Sequence, residues 1–407
     1  MSDHGSRRVV VTGLGAVSSL GTGVQAFTES LREGRSGIGP LTAFDASGFE
    51  HTDAGEVRDF EPKRWLERLD PAEWGRSALL AAAAARLAVT DAGLDPDVLA
   101  SARSGSSMGT TSGESQAVQE LTGQWVERGL AALDPALIGQ AAPGRIAAAV
   151  NTELGLDGEA QTIGTACSAS NYAIGHGYDL ISDGEADFML CGGADAVNRT
   201  LHAGFHRLGA LADDTCRPFD EHRTGIVTAE GGAVLLLESL DSALARGARI
   251  YAEVLGYGLS CDAKHPTQPD QDGIALCIER AHRDAGIEPA DVDYICAHGT
   301  GTPANDVTEV AAVRAVFGDR LPPISSIKSM LGHTMGAASG FGALACCRAL
   351  FDGFLPPTAT VRTLDPALGA GVDVVPGLAR PASPRIAQNH GFAFGGNNAV
   401  VIFKKVA

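Results

Sequence analysis

Three residues of this chain offer reactive side chains in settings that suit chemistry: Cys167, His298 and His333. Cys167 lies in residues 161–171, where an apolar strand is expected to turn into a helix through small residues. The free N–H groups and the positive end of a helix N-terminus lower the pKa of a thiol and make it a nucleophile. Each histidine lies in a turn rich in glycine and small residues. One cysteine with two such histidines is typical of acyl chemistry.

The composition indicates a soluble globular protein and excludes several functional classes. The chain has 407 residues, of which 44% are hydrophobic and 20% are charged. Two domains or two fused halves are expected, because one core rarely grows to this size. The net charge of −18 argues against a broad surface for nucleic acid or anionic membranes. Without a signal peptide or a span of about twenty apolar residues, a cytoplasmic protein is expected.

Neither a disulfide framework nor a metal site is expected. The eight cysteines contain no Cys-x-x-Cys pair, and several lie in apolar runs, where buried reduced thiols are usual. His202 and His206 are four residues apart, as on a zinc-binding helix. No glutamate lies between them and no third ligand is evident, so the sequence predicts no metal.

Several segments of the chain occur twice in the same order. Predicted helices over residues 79–92 and 273–285 both end in Asp-Ala-Gly and an aliphatic residue. Residues 229–238 and 394–403 each join a Gly-Gly turn to an apolar run, which is typical of a strand buried inside a sheet. Agreement at several points in order predicts two homologous α/β halves with strands covered by helices.

The predicted halves are residues 1–253, which carry the cysteine, and residues 254–407, which carry both histidines and Lys328. The junction is expected near residues 254–264. Binding sites concentrate in clefts between domains. Pseudo-symmetric halves would therefore bring Cys167 to the two histidines although more than a hundred residues separate them in the chain.

Seven short motifs resemble, in order, those of the β-ketoacyl synthases, the condensing enzymes of fatty-acid and polyketide assembly. They are residues 7–15, 165–168, 192–195, 217–220, 298–303, 328–333 and 391–396. The resemblance covers nearly the whole chain. It implies a thiolase-like fold, in which two homologous halves form five αβαβα layers, usually in a dimer.

The reaction that this resemblance implies is a decarboxylative Claisen condensation. Cys167 would take an acyl chain from an acyl carrier protein, and the enolate left when malonyl carrier protein loses CO₂ would attack that thioester. By analogy, His298 and His333 donate hydrogen bonds to the malonyl thioester oxygen as it becomes negative. Such a donor is worth about 10²–10³ in rate. The substrates travel on the phosphopantetheine arm of the carrier protein, and no bound cofactor is implied.

The resemblance also assigns supporting roles. The N–H groups of the nucleophilic cysteine and of Phe394 form an oxyanion hole for acyl transfer, and Phe394 gates the passage of the extender unit. Lys328 supplies positive charge and, with Glu309, holds the histidines in place. Thr300 and Thr302 bind the phosphopantetheine arm.

A small basic cluster of Lys63, Arg64 and Arg68 stands out in the acidic chain. It is either a solvated helix face or a docking site for the carrier protein, which is itself acidic. The identity of the second subunit in the expected dimer also has two alternatives. The chain forms either a homodimer or a heterodimer with a chain-length-factor-like subunit.

Three departures from the family pattern favour a type II polyketide or polyene pathway over housekeeping fatty-acid elongation, which stays an alternative. Gly342 stands where family members commonly carry a glutamate. The connection 212–216 is short and holds no basic residue. Ser112 lies where housekeeping homologues tend to place an apolar wall of the acyl pocket.

Two other functional classes are weighed against the condensing enzyme. A non-catalytic chain-length subunit of a ketosynthase heterodimer usually lacks the cysteine that this chain has. A thiolase uses a second cysteine near the C-terminus, and residues 389–407 contain none. The acyl chain length and its unsaturation lie beyond what the sequence predicts.

Overall fold

The computed structural model describes residues 6–406 as a mixed α/β protein. In this part of the chain the helices are α1 (Val24–Glu33), α2 (Arg76–Asp91), α3 (Pro96–Ser101), α4 (Ser115–Arg128), α5 (Pro135–Gln140), α6 (Arg145–Leu154), α7 (Ala169–Ser182), α8 (Arg199–Arg207), α9 (Leu240–Ala245), α10 (Gln271–Ala285), α11 (Pro303–Phe317), α12 (Lys328–Leu331) and α13 (Ala338–Asp352). The strands are β1 (Val9–Ser18), β2 (Gly21–Thr22), β3 (Gly39–Pro40), β4 (Asp53–Ala54), β5 (Ser104–Gly109), β6 (Ala160–Ile163), β7 (Phe188–Asp195), β8 (Gly231–Ser239), β9 (Ala252–Cys261), β10 (Tyr294–Cys296), β11 (Ile324–Ser325), β12 (Phe354–Leu355), β13 (Arg380–Pro381), β14 (Ile386–Phe392) and β15 (Asn397–Lys404).

The strand order shows the duplication that the sequence predicts. From its outer edge inward, the first half runs β6-β5-β7-β8-β1, and the second runs β11-β10-β14-β15-β9. In each half the outer three strands are parallel and the inner pairings are antiparallel. The halves join where β1 pairs with β9, from Val9 opposite Val254 to Val11 opposite Ala252. The prediction of two homologous α/β halves is confirmed.

Most of the segment in which the junction was predicted, residues 254–264, is strand β9. The chain leaves the first half through α9 and crosses at residues 246–251. A Cβ at Gly258 would lie 2.3 Å from the carbonyl oxygen of Cys277, so this glycine lets α10 pack closely on the strand. The boundary predicted at residue 253 falls inside β9 and stays a prediction as a domain limit.

Helices cover both faces of each half and give five layers. Helices α2 and α6 pack on the outer face of the first half, and α10 and α11 pack on the outer face of the second. Helices α7 and α13 lie between the halves and contact strands of both. Helix α13 is buried from Ala338 to Leu350, as an apolar helix between two sheets must be. This arrangement is the thiolase-like fold.

Both central helices begin with a tight 3-10 turn that contains one left-handed residue. The turn Ala166–Ser168 precedes α7 and the turn Met335–Ala337 precedes α13. The φ angles are +51° at Ala166 and +54° at Met335. Such positions cost about 1–3 kcal/mol each and concentrate at functional sites. The residue that follows is Cys167 in the first half and Gly336 in the second.

The state of the cysteines and the character of the helices bear on two expectations from the sequence. All eight cysteines are free: Cys261 is exposed, and the other seven are buried. Across residues 6–406, no helix combines the length and the apolar character that a membrane crossing needs.

Candidate active site

Cys167, His298 and His333 meet in a cleft between the two halves. The Sγ of Cys167 and one ring nitrogen of each histidine lie within 4.8 Å of one another. The two imidazole rings are 5.6 Å apart between centroids and nearly perpendicular, at 83°. All three side chains are buried. The structure therefore brings together the three residues that the sequence singled out.

Different parts of the fold position each of the three side chains. Cys167 follows β6 in the turn that opens α7, and His298 lies just beyond the carboxyl end of β10. His333 lies between α12 and α13, where its N–H donates to the carbonyl of Val227 at 2.7 Å and its carbonyl accepts from Ala229 at 2.9 Å. Ligand sites of α/β sheets commonly lie beyond the carboxyl ends of strands. The second half thus supplies both imidazoles to a nucleophile of the first.

Both imidazoles are neutral, and a neutral imidazole carries one N–H donor. The Nδ1 of His333 accepts the N–H of Met335 at 3.0 Å, so its proton sits on Nε2 and faces away from that bond. Burial lowers the pKa of His298 and of His333 well below the usual value, and the charge of Lys328 lowers both further. A neutral N–H donor is suited to an oxygen that becomes negative during a reaction.

Lys328 and Glu309 hold the backbone of His298 from two sides. The Nζ of Lys328 donates to the carbonyl oxygen of His298 at 2.6 Å. The carboxylate of Glu309 accepts the N–H of His298 at 2.8 Å and that of Gly299 at 2.7 Å. Burial lowers the pKa of Lys328, and neighbouring acidic groups partly oppose the shift. Both side chains are buried, and their contacts fix the turn that presents the imidazole.

The thiol of Cys167 differs from the sequence-based expectation. Burial raises its pKa to about 11, although Lys328 and the N–H groups of Cys167 and Phe394 act in the opposite direction. The expectation of a lowered pKa is wrong in its net direction, because Cys167 is only 7% exposed and burial raises its pKa by more than Lys328 and the two N–H groups lower it. The two N–H groups nevertheless both face Sγ.

A cleft of about 280 Å³ leads from the surface to Cys167. Thr300 and Thr302 line it, and their hydroxyl oxygens are 2.9 Å apart. Thr302 also caps α11 by accepting the N–H of Asn305 at 3.3 Å. Phe394 lies at the cleft and is 37% exposed, with its ring 6.0 Å from that of Phe205. The residues predicted for the arm and for the gate therefore lie along one path to the thiol.

The basic cluster lies apart from this cleft. Lys63 and Arg64 belong to a 3-10 turn next to α2, and Arg64 pairs with Glu61 at 2.7 Å. The guanidinium of Arg68 lies against Gly155, at the C-terminal end of α6. Among the described residues that line the cleft, none belongs to the cluster. Carrier docking at these residues stays a prediction.

The side chain of Asn389 occupies the space that a glutamate at position 342 would need. A Cβ at Gly342 would lie 2.2 Å from Oδ1 of Asn389. The Nδ2 of Asn389 donates to Oδ1 of Asn171 and to the carbonyl of Ser339, both at 2.7 Å. Gly342 thus belongs to an amide network that joins α7, α13 and β14.

The sequence assigned no role to Asp195, although one of the family-like motifs ends there. This fully buried carboxylate accepts the hydroxyl of Thr110 at 2.7 Å, the N–H of Ser112 at 3.0 Å and the N–H of Gly336 at 2.6 Å. The hydroxyl of Ser112 also donates to Asp195, at 3.0 Å. Asp195 ties the loop after β5 to the turn before α13.

The sequence also missed His390, which is buried beside Glu309. Its Nδ1 donates to Oε1 of Glu309 at 2.8 Å. The available signal was a histidine at the end of the polar run Gln388-Asn389-His390, immediately before the motif that contains Phe394. Nothing in the linear sequence indicated that its partner would be a glutamate eighty-one residues earlier.

His202 is held by hydrogen bonds within the protein, and the ring of His206 packs edge-on against that of Phe49. The Nδ1 of His202 lies 3.1 Å from the hydroxyl of Thr228, and its Nε2 lies 3.0 Å from the carbonyl of His51. Within residues 6–406, the one group of three close ligand atoms is the cysteine with the two cleft histidines. That the protein uses no metal stays a prediction.

Comparisons with known proteins agree over nearly the entire chain. Residues 6–243 match the family described as "Beta-ketoacyl synthase, N-terminal domain", and residues 251–362 match its "C-terminal domain". The chain is 38% identical over 416 residues to 3-oxoacyl-[acyl-carrier-protein] synthase 2 of Synechocystis sp., covering all of both proteins.

Solved structures extend the comparison. A chain of "the ishigamide ketosynthase/chain length factor" superposes with a TM-score of 0.96 at 52% identity, covering 99% of this chain and 100% of that one. A type II PKS ketosynthase in complex with its acyl-carrier protein superposes with a TM-score of 0.90 at 30% identity, covering 98% and 100%. With its two matched domains, its fold and its cleft, the chain belongs to the β-ketoacyl synthase family of condensing enzymes.

Proposed function

We propose that this protein joins an acyl chain on Cys167 to malonyl-acyl carrier protein by decarboxylative Claisen condensation, giving 3-oxoacyl-carrier protein and CO₂. One observation carries the proposal: the Sγ of Cys167 and a ring nitrogen of both His298 and His333 lie within 4.8 Å of one another. A single substrate thioester can therefore contact the nucleophile and both donors at once.

In the first step, Cys167 attacks the thioester of the incoming acyl carrier protein. The acyl–sulfur bond to the phosphopantetheine arm breaks and the arm leaves as a thiol, carrying the proton that Cys167 loses. Because burial raises the pKa of Cys167 to about 11, this proton is present in the resting enzyme and must leave during acyl transfer. The N–H groups of Cys167 and Phe394 face the sulfur and would stabilise the oxyanion of the tetrahedral intermediate.

In the second step, malonyl carrier protein loses CO₂ and its thioester oxygen becomes negative. His298 and His333 stabilise this enolate as neutral N–H donors, and Lys328 adds a positive charge nearby. The enolate carbon then attacks the acyl thioester on Cys167. The new carbon–carbon bond displaces the cysteine sulfur, which takes up a proton and returns to its resting form.

The carrier arm would reach the thiol through the cleft. Thr300 and Thr302 lie along it and offer hydroxyl groups to the amides of a phosphopantetheine chain. Phe394 packs against Phe205 at the cleft and would control passage of the extender unit. The protein needs no bound cofactor for this chemistry, since both substrates arrive as thioesters.

We place the protein in a type II polyketide pathway, with a chain-length-factor-like subunit as its partner. Support comes from its 52% identity to a ketosynthase/chain length factor chain, against 38% to a 3-oxoacyl-carrier-protein synthase. The exposed side chains of Trp125, Val126 and Leu130 in and after α4 suit burial against another subunit. Within the described part of the chain, strand β6 also has one edge without a strand partner. A cytoplasmic localisation stays a prediction.

Intact-mass analysis with a panel of acyl-carrier proteins tests the proposal. The purified chain, alone and co-expressed with a candidate partner, should gain the mass of one acyl group and release CO₂ when malonyl-carrier protein is added. Cys261→Ala removes the exposed thiol and serves as the control, which should load normally. Failure to load any acyl group in either form would contradict a catalytic role and favour a non-catalytic chain-length subunit.

A further inference from the structure

His390 lies in a buried chain of hydrogen bonds that ends at the backbone of His298. The Nδ1 of His390 donates to Oε1 of Glu309 at 2.8 Å, and the same oxygen accepts the N–H of His298 at 2.8 Å. The other carboxylate oxygen accepts the N–H of Gly299 at 2.7 Å. His390 and Glu309 are at most 1% exposed. The proposed reaction steps assign no role to His390.

The partners of His390 fit one neutral tautomer. The side-chain amide Nε2 of Gln388 donates to Nε2 of His390, and the carbonyl Oε1 of Gln388 accepts from Nε2 of His282 at 2.6 Å. With an acceptor at Nε2, the single proton of a neutral imidazole lies on Nδ1 and points at Glu309. Gln388 and His282 are both buried, so water does not compete for these bonds.

Glu309 depends on His390, because no lysine or arginine among the described residues forms an ion pair with it. Within residues 6–406, His390 is the basic side chain that lies within ion-pair distance of Glu309. The ammonium of Lys328 instead donates to the carbonyl of His298. The amide of Asn305 is more distant from the carboxylate, at 3.4 Å. A buried carboxylate that loses its best side-chain donor is free to rotate or take up a proton, and either change releases the N–H groups it holds.

We propose that His390 is a positioning residue that orients His298 for decarboxylation by fixing the carboxylate of Glu309. It does not contact the substrate. The inference rests on the proposed condensing function. It predicts a selective effect, because loading of Cys167 relies on the N–H groups of Cys167 and Phe394, whereas enolate stabilisation relies on His298.

The pH dependence should follow the state of Glu309. Burial raises the pKa of this carboxyl, but hydrogen bonds from His390 and from the N–H groups of Gly299 and His298 outweigh burial and leave it lowered. The other ionisable groups near the carboxylate are Lys328 of α12, Cys296 of β10 and Asp306 of α11. Without His390 the pKa of Glu309 should rise, so activity should fall at a higher pH than in the wild type.

Three variants test the inference. His390→Leu removes the donor, His390→Gln keeps a donor, and His282→Leu is the control that removes a buried histidine from the far end of the same chain. We expect His390→Leu to lower kcat for malonyl decarboxylation and condensation by about tenfold to a hundredfold, as a small misplacement of a catalytic group does. Its KM and its acyl loading should stay unchanged.

The same three variants also test the predicted pH dependence of condensation. The acidic limb of the condensation profile should move to higher pH in His390→Leu, and His390→Gln should recover both the rate and the profile. His282→Leu should lose thermal stability while keeping the wild-type profile. A His390→Leu enzyme with wild-type kcat and profile overturns the inference. So does an equal loss of loading and condensation in His390→Leu and His282→Leu.

A second measurement applies if His390→Leu does not fold. In wild-type protein labelled with ¹⁵N-histidine, the inference expects the neutral ring of His390 to carry its proton on Nδ1, the nitrogen that faces Glu309. Protonation of Nε2 in the neutral ring overturns it. A wild-type enzyme that neither loads nor decarboxylates would instead contradict the proposed function, so the two failures are distinguishable.

Discussion

In the first half of the molecule a 3-10 turn leads into α7, and in the second half a similar turn leads into α13. Each turn contains one left-handed residue, Ala166 or Met335, and each helix lies between the sheets. The next residue is Cys167 in the first turn and Gly336 in the second. The duplicated scaffold therefore offers two equivalent positions, and only one of them carries a nucleophile.

Packing explains why the second position is a glycine. A Cβ at Gly336 would lie 2.4 Å from Cα of Thr110, so the turn has no room for a side chain. Its N–H donates to Asp195 at 2.6 Å and its carbonyl accepts the hydroxyl of Ser170 at 2.5 Å. The second turn serves as a contact between the halves, and the chemistry of the second half comes from the histidines near it.

The largest expected effect comes from removing the one nucleophile that distinguishes the halves. Cys167→Ala should abolish acyl loading and lower condensation by about 10⁶-fold, as loss of a covalent nucleophile does. Intact mass after incubation with acyl-carrier protein reports the loading. Normal acylation of Cys167→Ala would show that another group is the nucleophile.

Removing either imidazole of the second half should impair a different step, the decarboxylation of malonyl-carrier protein. His298→Ala and His333→Ala should each lower malonyl decarboxylation by about 10²–10³, because each removes a donor to the forming enolate. Loading of Cys167 should persist in both. Release of CO₂ and intact mass, measured on the same samples, separate the steps. Loss of loading in proportion to decarboxylation would contradict this division between the halves.

The next prediction concerns the protonation state of the Cys167 thiol. Because the pKa of Cys167 is raised to about 11, the thiol is protonated at neutral pH and its thiolate fraction rises with pH. Alkylation of Cys167 by iodoacetamide should therefore accelerate about tenfold per pH unit from about pH 7 to about pH 9. Peptide mass spectrometry identifies the modified cysteine. A rate that levels off near neutral pH would indicate a stabilised thiolate in the resting enzyme.

The smallest expected effect comes from substituting Gly336, the residue of the second half that corresponds in position to Cys167. Gly336→Ala should lower the free energy of unfolding by about 1–3 kcal/mol, since its methyl group overlaps the backbone of Thr110. Gly123→Ala in α4 is the matched control, because its Cβ would meet nothing within 4 Å, and it should leave stability unchanged or raise it. Urea unfolding compares the two. Equal stability of Gly336→Ala and wild type would show that the second turn can accept a side chain.

The sequence predicts the features that depend on local pattern. The small residues around Cys167, the Gly-rich turns of His298 and His333 and the repeated Gly-Gly-strand segments indicate the nucleophile, its partners and the duplicated fold. Helix α10, predicted over residues 273–285, runs over Gln271–Ala285.

Features that depend on tertiary packing escaped the sequence. Strand β9 lies where the sequence predicted the junction, and its pairing with β1, more than two hundred residues earlier, leaves no local pattern. The pKa of Cys167 is decided by burial under residues of both halves. The contacts of Asp195 with Gly336 and of His390 with Glu309 join residues more than eighty positions apart, which no local pattern reveals.

A single-turnover chase tests most directly whether the cysteine of one half and the histidines of the other act on one substrate. Wild-type protein is first acylated by an acyl-carrier protein, freed of excess substrate and then mixed with malonyl-carrier protein. We predict that the acyl group leaves Cys167 and appears on the carrier as a 3-oxoacyl chain one ketide unit longer, with one CO₂ released per chain. A thioester that persists on Cys167, or that is lost to water without a longer product, would contradict this account.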